Sequence, residues 1–192
     1  MYERIGGDLM NRSDALELIR NHVKNDKLIK HMIAVEAIMR KLASKFNEDQ
    51  DLWGLVGLLH DLDYEETKKD FKRHGIMSAE MLEGKLPEEA LEAIRSHNEL
   101  TGHIPKTRLA KALIAADQVS GLIVATALVM PNKKLAEVKL KSLKRKFKQK
   151  DFARSVDRNK ILKYCQEIGL TLEEFLQLSL EALQSISNEL GL

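Results

Sequence analysis

Apolar residues recur with helical spacing along almost the whole chain, and this periodicity most constrains its fold. In the stretch 27–46, one apolar stripe is formed by Leu28, Met32, Val35, Ile38, Met39 and Leu42. Residues at such spacings share one face of a helix. Because no stretch alternates apolar and polar residues, and because aromatic residues make up only 5% of the chain, strands are not expected. The sequence therefore predicts an all-α fold.

Capping residues and helix breakers divide this pattern into separate helices. Ser13 is expected to cap the first helix. Asn47 followed by Gln50 has the spacing of a capping box for the third helix, and Thr171 followed by Glu174 has that spacing for the last. The predicted helices cover residues 13–24, 27–46, 47–62, 73–83, 87–98, 106–130, 134–149, 157–167 and 171–190.

A length of 192 residues with 44% hydrophobic residues suits one domain with a substantial core. We expect residues 1–132 to form this core and residues 133–192 to form a helical extension packed on it.

The single cysteine, Cys165, excludes an intramolecular disulfide framework. Charged and polar residues interrupt the most apolar stretch, 109–130, so no membrane span is predicted. Residues 1–14 contain acids and lack an apolar run, so we expect no secretory signal and a cytoplasmic protein.

The net charge of +2 conceals a strong asymmetry along the chain. Residues 133–163, the basic block, carry a net charge of +10, whereas residues 164–192 carry −5. The basic block could bind phosphates or nucleic acid, could pair with the acidic C-terminal helix, or could be only a solvated helix face. Because no aromatic RNA-binding motif is interleaved with its lysines, nucleic acid is the least favoured partner.

Five of the apolar helix faces contain a histidine or an aspartate. These residues are His31, His60, His74, His97 and Asp117. A buried carboxylate without a partner costs several kcal/mol, and no arginine lies within one helical turn of Asp117. A single histidine on an apolar face is more often an ordinary core residue. Five such residues on five helices favour a transition-metal site instead.

The order of these residues along the chain matches a known pattern. His31 is followed by His60-Asp61 in the segment GLLHDLDYE, and then by Asp117 in the segment LIAADQVSG. This ordered set, with its members on separate predicted helices, resembles the HD superfamily of metal-dependent phosphohydrolases over about residues 27–125. The resemblance implies a helical HD-domain bundle in which these four side chains bind one divalent metal ion.

Two further histidines refine the resemblance. His74 in RHGIMSAEML and His97 in AIRSHNELTG are similar to the additional histidines of the two-metal branch of that superfamily. This similarity implies a second ion held by His74, His97 and a bridging Asp61. Iron and manganese are the favoured metals, while zinc, nickel and magnesium stay open because ligand type constrains the metal only loosely.

The resemblance implies hydrolysis of a phosphoester or phosphoanhydride of a small nucleotide by a metal-activated water, with Asp61 and Asp63 as candidate catalytic residues. Asp63 could accept a proton from the nucleophile or orient a ligand, and the alternative is an exposed acid at a helix end.

The candidate substrate-binding residues are Arg73, His103, Lys106, Lys141, Lys144 and Lys148. The last three share one helix face and could cover the mouth of the pocket. The alternative function is a non-catalytic HD domain that binds a nucleotide or a protein partner, but a complete ligand set favours an enzyme.

Overall fold

The computed structural model describes residues 10–192, and every regular element within them is helical. The α-helices are α1 (Arg12–His22), α2 (Asp26–Phe46), α3 (Gln50–Leu59), α4 (Ile76–Met81), α5 (Glu88–Ser96), α6 (Arg108–Leu128), α7 (Leu140–Lys148), α8 (Arg158–Glu167), α9 (Leu172–Ser185) and α10 (Ser187–Leu190). Short 3₁₀ helices cover Phe71–Arg73, Glu99–Thr101 and Leu135–Glu137. The all-α prediction is confirmed. The expectation about a secretory signal falls mostly on residues 1–9, which lie outside the described residues.

Side-chain caps begin several of these helices, and two of the predicted caps are wrong. Asn11, not Ser13, caps α1, because its side chain accepts a hydrogen bond from a backbone N–H of the first turn. Asp49 caps α3 in the same way. Asn47 instead ends α2 in the left-handed conformation, with φ 56°, which asparagine tolerates better than most residues. The predicted capping box at the start of α9 is confirmed.

The segment between α3 and α5 differs most from the prediction. The helix expected over 73–83 covers only six residues of α4. Gly75 precedes α4 with φ 89°, and the carboxylate of Asp63 accepts the backbone N–H groups of Gly75 and Ser78. These contacts with Asp63, which is distant in the sequence, fix where α4 begins. The spacing of apolar residues alone cannot predict such contacts.

Helices α2 and α6 form the centre of the molecule. α2 packs against α3, α6 and α9, and α6 also packs against α5, α7 and α8. The approach of α3 to α2 is close at Gly57, where an added β-carbon would lie 2.9 Å from the carbonyl oxygen of Val35. This contact brings the end of α3 next to α2, so that the rings of His31 and His60 lie 5.4 Å apart.

The helices after residue 132 share the core of the preceding ones. Leu143, Ile161, Cys165 and Phe175 are buried within the same hydrophobic cluster as the apolar residues of α2 and α6. α7 and α8 lie against α6, and α9 lies against both α2 and α6. The boundary after residue 132 stays a prediction.

Among residues 10–192, one helix is long and apolar enough to cross a membrane by length and composition alone. This helix is α6, and 67% of its most apolar 18-residue stretch is buried inside the protein. The neighbouring helices supply this burial. We therefore interpret α6 as the central helix of the core.

Candidate metal centre

The polar residues predicted on apolar helix faces meet in one cluster, with Asp61 at its centre. They are His31 on α2, His60 and Asp61 directly after α3, His74 shortly before α4, His97 directly after α5, and Asp117 on α6. The carboxylate oxygens of Asp61 lie between 3.3 and 3.6 Å from the Nε2 atoms of the four histidines. Five separate segments of the chain therefore direct ligand-type atoms at one point.

The ligand atoms form two sets that share Asp61. The sets are His31 with His60 and Asp61, and Asp61 with His74 and His97. Within each set, all ligand atoms lie within 4.8 Å of one another. Oδ1 of Asp117 extends the first set, because it lies 3.1 Å from Nε2 of His31 and 3.8 Å from Nε2 of His60. The structure thus brings together the six predicted ligands in the grouping that the resemblance implies.

Backbone carbonyls fix the protonation of two of the histidines. Nδ1 of His60 donates to the carbonyl oxygen of Gly57 at 2.8 Å, and Nδ1 of His97 donates to that of Ile94 at 2.6 Å. A carbonyl oxygen only accepts, so the proton of each neutral ring lies on Nδ1. Nε2, which faces Asp61, is then a bare nitrogen of the kind that binds a metal.

Side-chain acceptors orient the other two histidines in the same sense. Nδ1 of His74 donates to the carboxylate of Asp63 at 2.8 Å. Nδ1 of His31 lies 3.2 Å from the hydroxyl oxygen of Ser120, which gives its own hydrogen to the carbonyl oxygen of Asp117 and so accepts from the imidazole. All four rings therefore direct Nε2 into the cluster.

Within residues 10–192, Nε2 of His60 is the buried side-chain polar atom that lacks a hydrogen-bond partner. Nε2 of His74 also lies only 3.0 Å from Nε2 of His97. Two bare ring nitrogens at this distance repel each other unless a cation or a proton lies between them. Imidazole nitrogens and carboxylates that converge in a buried pocket are the ligands of transition metals, and the residues present fit such an ion.

The electrostatics of the cluster keep its carboxylates ionised. Burial raises the pKa of Asp61, but the histidines around it, above all His60, hold that pKa well below its usual value. Burial lowers the pKa of His74, yet hydrogen bonds to Asp61 and Asp63 raise it to about 9. Without a metal, His74 therefore retains its second proton at neutral pH, and metal binding has to displace it.

Asp63 is buried, so the alternative of an exposed acid at a helix end is wrong. Its carboxylate accepts from Nδ1 of His74 at 2.8 Å, and from the backbone N–H groups of Gly75 and Ser78 at 2.8 and 2.9 Å. Gly75 needs its left-handed φ, and a β-carbon there would lie 2.8 Å from the carbonyl oxygen of Ile94. The geometry thus supports the ligand-orienting role considered for Asp63, acting on His74.

A cavity of about 550 Å³ opens beside the cluster. His31, Asp61, His74, His97 and Asp117 line it. Side chains that the sequence did not indicate also line it, among them Asn25, Lys27, Tyr64, Gln118, Ser155 and Lys160. A second cavity, of about 240 Å³, has His97 and Lys160 in common with the first. The volume of the larger cavity is typical of a small-molecule site.

Most of the predicted substrate-binding residues do not line either cavity. His103 lines the smaller cavity. The other five lie outside both sets of lining residues: Arg73, Lys106, Lys141, Lys144 and Lys148. Arg73 forms an ion pair with Glu80 at 2.7 Å. Lys144 pairs with Glu173 on α9 at 2.6 Å, which supports the alternative in which the basic block pairs with the acidic C-terminal helix.

Lys27 and Lys160 both line the larger cavity, but only the position of Lys27 could have been predicted from the sequence. Lys27 precedes His31 by four residues, so it shares a helix face with a ligand and could have been found from spacing. Lys160 lies 43 residues after Asp117 in a segment of repeated lysines. Nothing in its local sequence separates it from the solvated lysines around it.

Comparison with known protein families gives a match within this chain. Residues 28–122 match the family model described as HD domain. This range contains the six residues of the cluster, from His31 to Asp117. Neither the curated proteins nor the solved structures contain a match to this chain.

Proposed function

Because this chain belongs to the HD-domain superfamily, we propose that it hydrolyses a phosphoester or phosphoanhydride bond of a small nucleotide in a metal-dependent reaction. HD domains are generally metal-dependent hydrolases. The observation that carries the proposal is the cluster of four Nε2 atoms and two aspartates at the wall of a cavity. A protein that only binds a nucleotide would not need this set of ligand-type side chains, which occupies positions where apolar core residues would otherwise pack.

The proposed ligands divide between two ions. His31, His60, Asp61 and Asp117 would hold the first, and Asp61, His74 and His97 would hold the second. A divalent ion held there would activate water as a nucleophile at neutral pH and would neutralise charge on the phosphate group. Iron and manganese suit a site with four imidazoles and two carboxylates.

The chain's own residues prepare this site in two ways. The acceptors at Nδ1 hold each ring with its bare nitrogen directed inward, so little reorganisation is needed when a metal binds. The surrounding helices bury His60, Asp61, His74 and His97. Electrostatic interactions are stronger in such a water-poor site than at the surface.

The nucleotide substrate is proposed from the aromatic rings at the cavity. Tyr64 and Phe71 both line it, and their ring centroids lie 5.8 Å apart. Phe71 is also 39% exposed, so part of its ring is accessible to a ligand. A nucleobase stacks on exposed aromatic faces of this kind.

The test is phosphate release by metal-depleted protein after addition of Mn²⁺ or Fe²⁺, with a panel of nucleoside mono-, di- and triphosphates. We expect metal-dependent turnover of at least one nucleotide, and its loss in Asp61→Ala. Asp151→Ala removes an exposed aspartate and is the matched control. Nucleotide binding without turnover of any member of the panel would contradict the proposal and favour the non-catalytic alternative.

A further inference from the structure

We propose that Lys160, on α8, binds a phosphate group of the substrate, so that the segment after residue 132 completes the site. This role rests on the proposed phosphohydrolase function. It concerns a lysine of the basic block other than the three on α7 that sequence analysis suggested.

The position of Lys160 at the cavities is the first observation. Lys160 lines both cavities and so lies where they meet. Among the described residues, Lys27 and Lys160 supply the lysine and arginine side chains that line the larger cavity, whereas Asp61 and Asp117 supply its carboxylates. An anionic substrate that enters a cavity with two carboxylates needs a cation beyond the metals, and a lysine is a common phosphate ligand.

The loop that precedes Lys160 is built by one guanidinium group. Arg158 donates hydrogen bonds to backbone carbonyl oxygens of Phe147, Gln149, Phe152, Ala153 and Val156. A guanidinium in a fixed fork geometry holds several acceptors at once. The loop 149–157 is thus ordered around Arg158, and its Ser155 lines the larger cavity.

A chain of hydrogen bonds also joins this loop to a proposed metal ligand. The amide of Gln118 donates to Asp117 at 2.8 Å and accepts from the backbone N–H of Asp157 at 2.8 Å. The side chain of Asp157 in turn accepts from the backbone N–H of Lys160 at 3.1 Å. The backbone of Lys160 is therefore held at a fixed position relative to the metal centre.

The one ion pair of Lys160 among the described residues is with an exposed acid. Nζ of Lys160 lies 3.4 Å from a carboxylate oxygen of Glu99, whose side chain is 73% exposed. A phosphate could replace this carboxylate, because an exposed ion pair contributes little to stability. If Lys160 instead only joins α8 to the segment around Glu99, loss of either partner should have the same effect. If Lys160 binds phosphate, loss of Glu99 should leave phosphate binding at least as tight as in the wild-type protein, because a competing carboxylate is removed.

The experiment measures binding of inorganic phosphate to the full-length, manganese-loaded protein by calorimetry, together with its metal content. We expect Lys160→Ala to weaken phosphate binding by at least about tenfold, the range for a charge-assisted hydrogen bond. Lys160→Arg should retain binding, and Glu99→Gln should bind phosphate as tightly as the wild-type protein or more tightly. Lys150→Ala removes an exposed lysine that lines neither cavity, and it is the control for net charge. Metal content should be unchanged in all variants.

Three outcomes would overturn the inference. Equal phosphate affinity in wild type and Lys160→Ala, with binding still dependent on manganese, would remove the role of Lys160 and leave the proposed function intact. Equal weakening in Lys160→Ala and Glu99→Gln would show that the pair only joins two elements. No manganese-dependent phosphate binding in the wild-type protein would count against the proposed function as well.

Discussion

At the scale of single residues, the hydrogen bond at Nδ1 decides what each histidine can do. A neutral ring whose Nδ1 donates to a carbonyl or carboxylate has a bare Nε2, and burial makes that nitrogen costly unless a cation faces it. His60 shows this most clearly, because it is fully buried and its Nε2 lacks a hydrogen-bond partner. The same arrangement in His74 and His97 is the basis of the second ion proposed above.

Separate substitution of His74 and His97 by alanine tests the division into two ions. Each variant should lose the second ion and keep the first, because His31, His60 and Asp117 are unchanged. The measurement is metal content of the folded fraction isolated by size exclusion. If a variant keeps both ions, or misfolds while its folded fraction keeps full metal content, that histidine is a core residue.

Asp63→Asn tests the orienting role of Asp63. The substituted amide cannot accept from both backbone N–H groups and from His74 at once, so the ring of His74 loses its fixed orientation. We expect affinity for the second ion to fall by about 10–100-fold, with the first ion unaffected, in a calorimetric titration with Mn²⁺. Asp70→Asn changes an exposed acid of the same segment and is the control. Equal loss at both metal sites would mean a general disturbance of the fold.

A candidate metal ligand can be found from the sequence when it interrupts the apolar face of a predicted helix. A histidine or an aspartate among apolar residues is visible because burial of a polar group requires a reason. Asp63 comes two residues after the ligand Asp61, shortly beyond the end of α3. An acid at a helix end is ordinarily exposed, so its burial is not expected from the sequence. Its burial depends on Gly75 and Ser78, which lie 12 and 15 residues further along the chain.

At the scale of elements, the loop 149–157 depends on Arg158 more than on its own sequence. Arg158→Ala removes hydrogen bonds to five backbone carbonyl oxygens, of which those of Gln149 and Ala153 also accept a backbone N–H. We expect a loss of about 2–3 kcal/mol in the free energy of unfolding, measured by chemical denaturation. The exposed Arg154, whose side chain is 79% accessible, is the control, and Arg154→Ala should change stability by less than about 0.5 kcal/mol. Equal effects of the two substitutions would contradict the account of this loop.

Long helices are predicted well from the sequence and short ones are not. α2 and α6 have apolar stripes over 21 residues each, so the signal is repeated over many turns. α4 has six residues, and its start is set by contacts with Asp63 rather than by its own pattern. The predicted cap at Asn47 failed for a local reason, because Asp49 offers a carboxylate two residues later.

At the scale of the whole molecule, the helices after residue 132 stabilise the fold. Ile161, Phe175 and Leu176 are fully buried, and α8 and α9 cover α6 and α2. Burial of one side chain of this size contributes about 1.5–3 kcal/mol, and the net stability of a domain is only about 5–15 kcal/mol. A chain truncated after residue 132 should therefore lack a cooperative thermal transition. A cooperative transition with full metal binding would show that residues 1–132 fold independently.

Sequence patterns predicted which faces are buried, but not which helices cover them. The net charge of the basic block suggested an anion site on α7, and the structure instead places Lys160 of α8 at the cavities. Charge runs carry no information on which lysine faces inward, because solvated and buried-facing lysines have the same local sequence. That assignment depends on the packing of α8 against α6.

The most direct test of the central claim is the metal content of the purified protein. Six ligand-type side chains converge where an apolar core would otherwise be expected. The account predicts between one and two equivalents of a first-row transition metal, lost in His60→Ala and in Asp61→Ala but retained in His22→Ala, which changes a histidine outside the cluster. Stoichiometric metal that survives both substitutions in the cluster would contradict it.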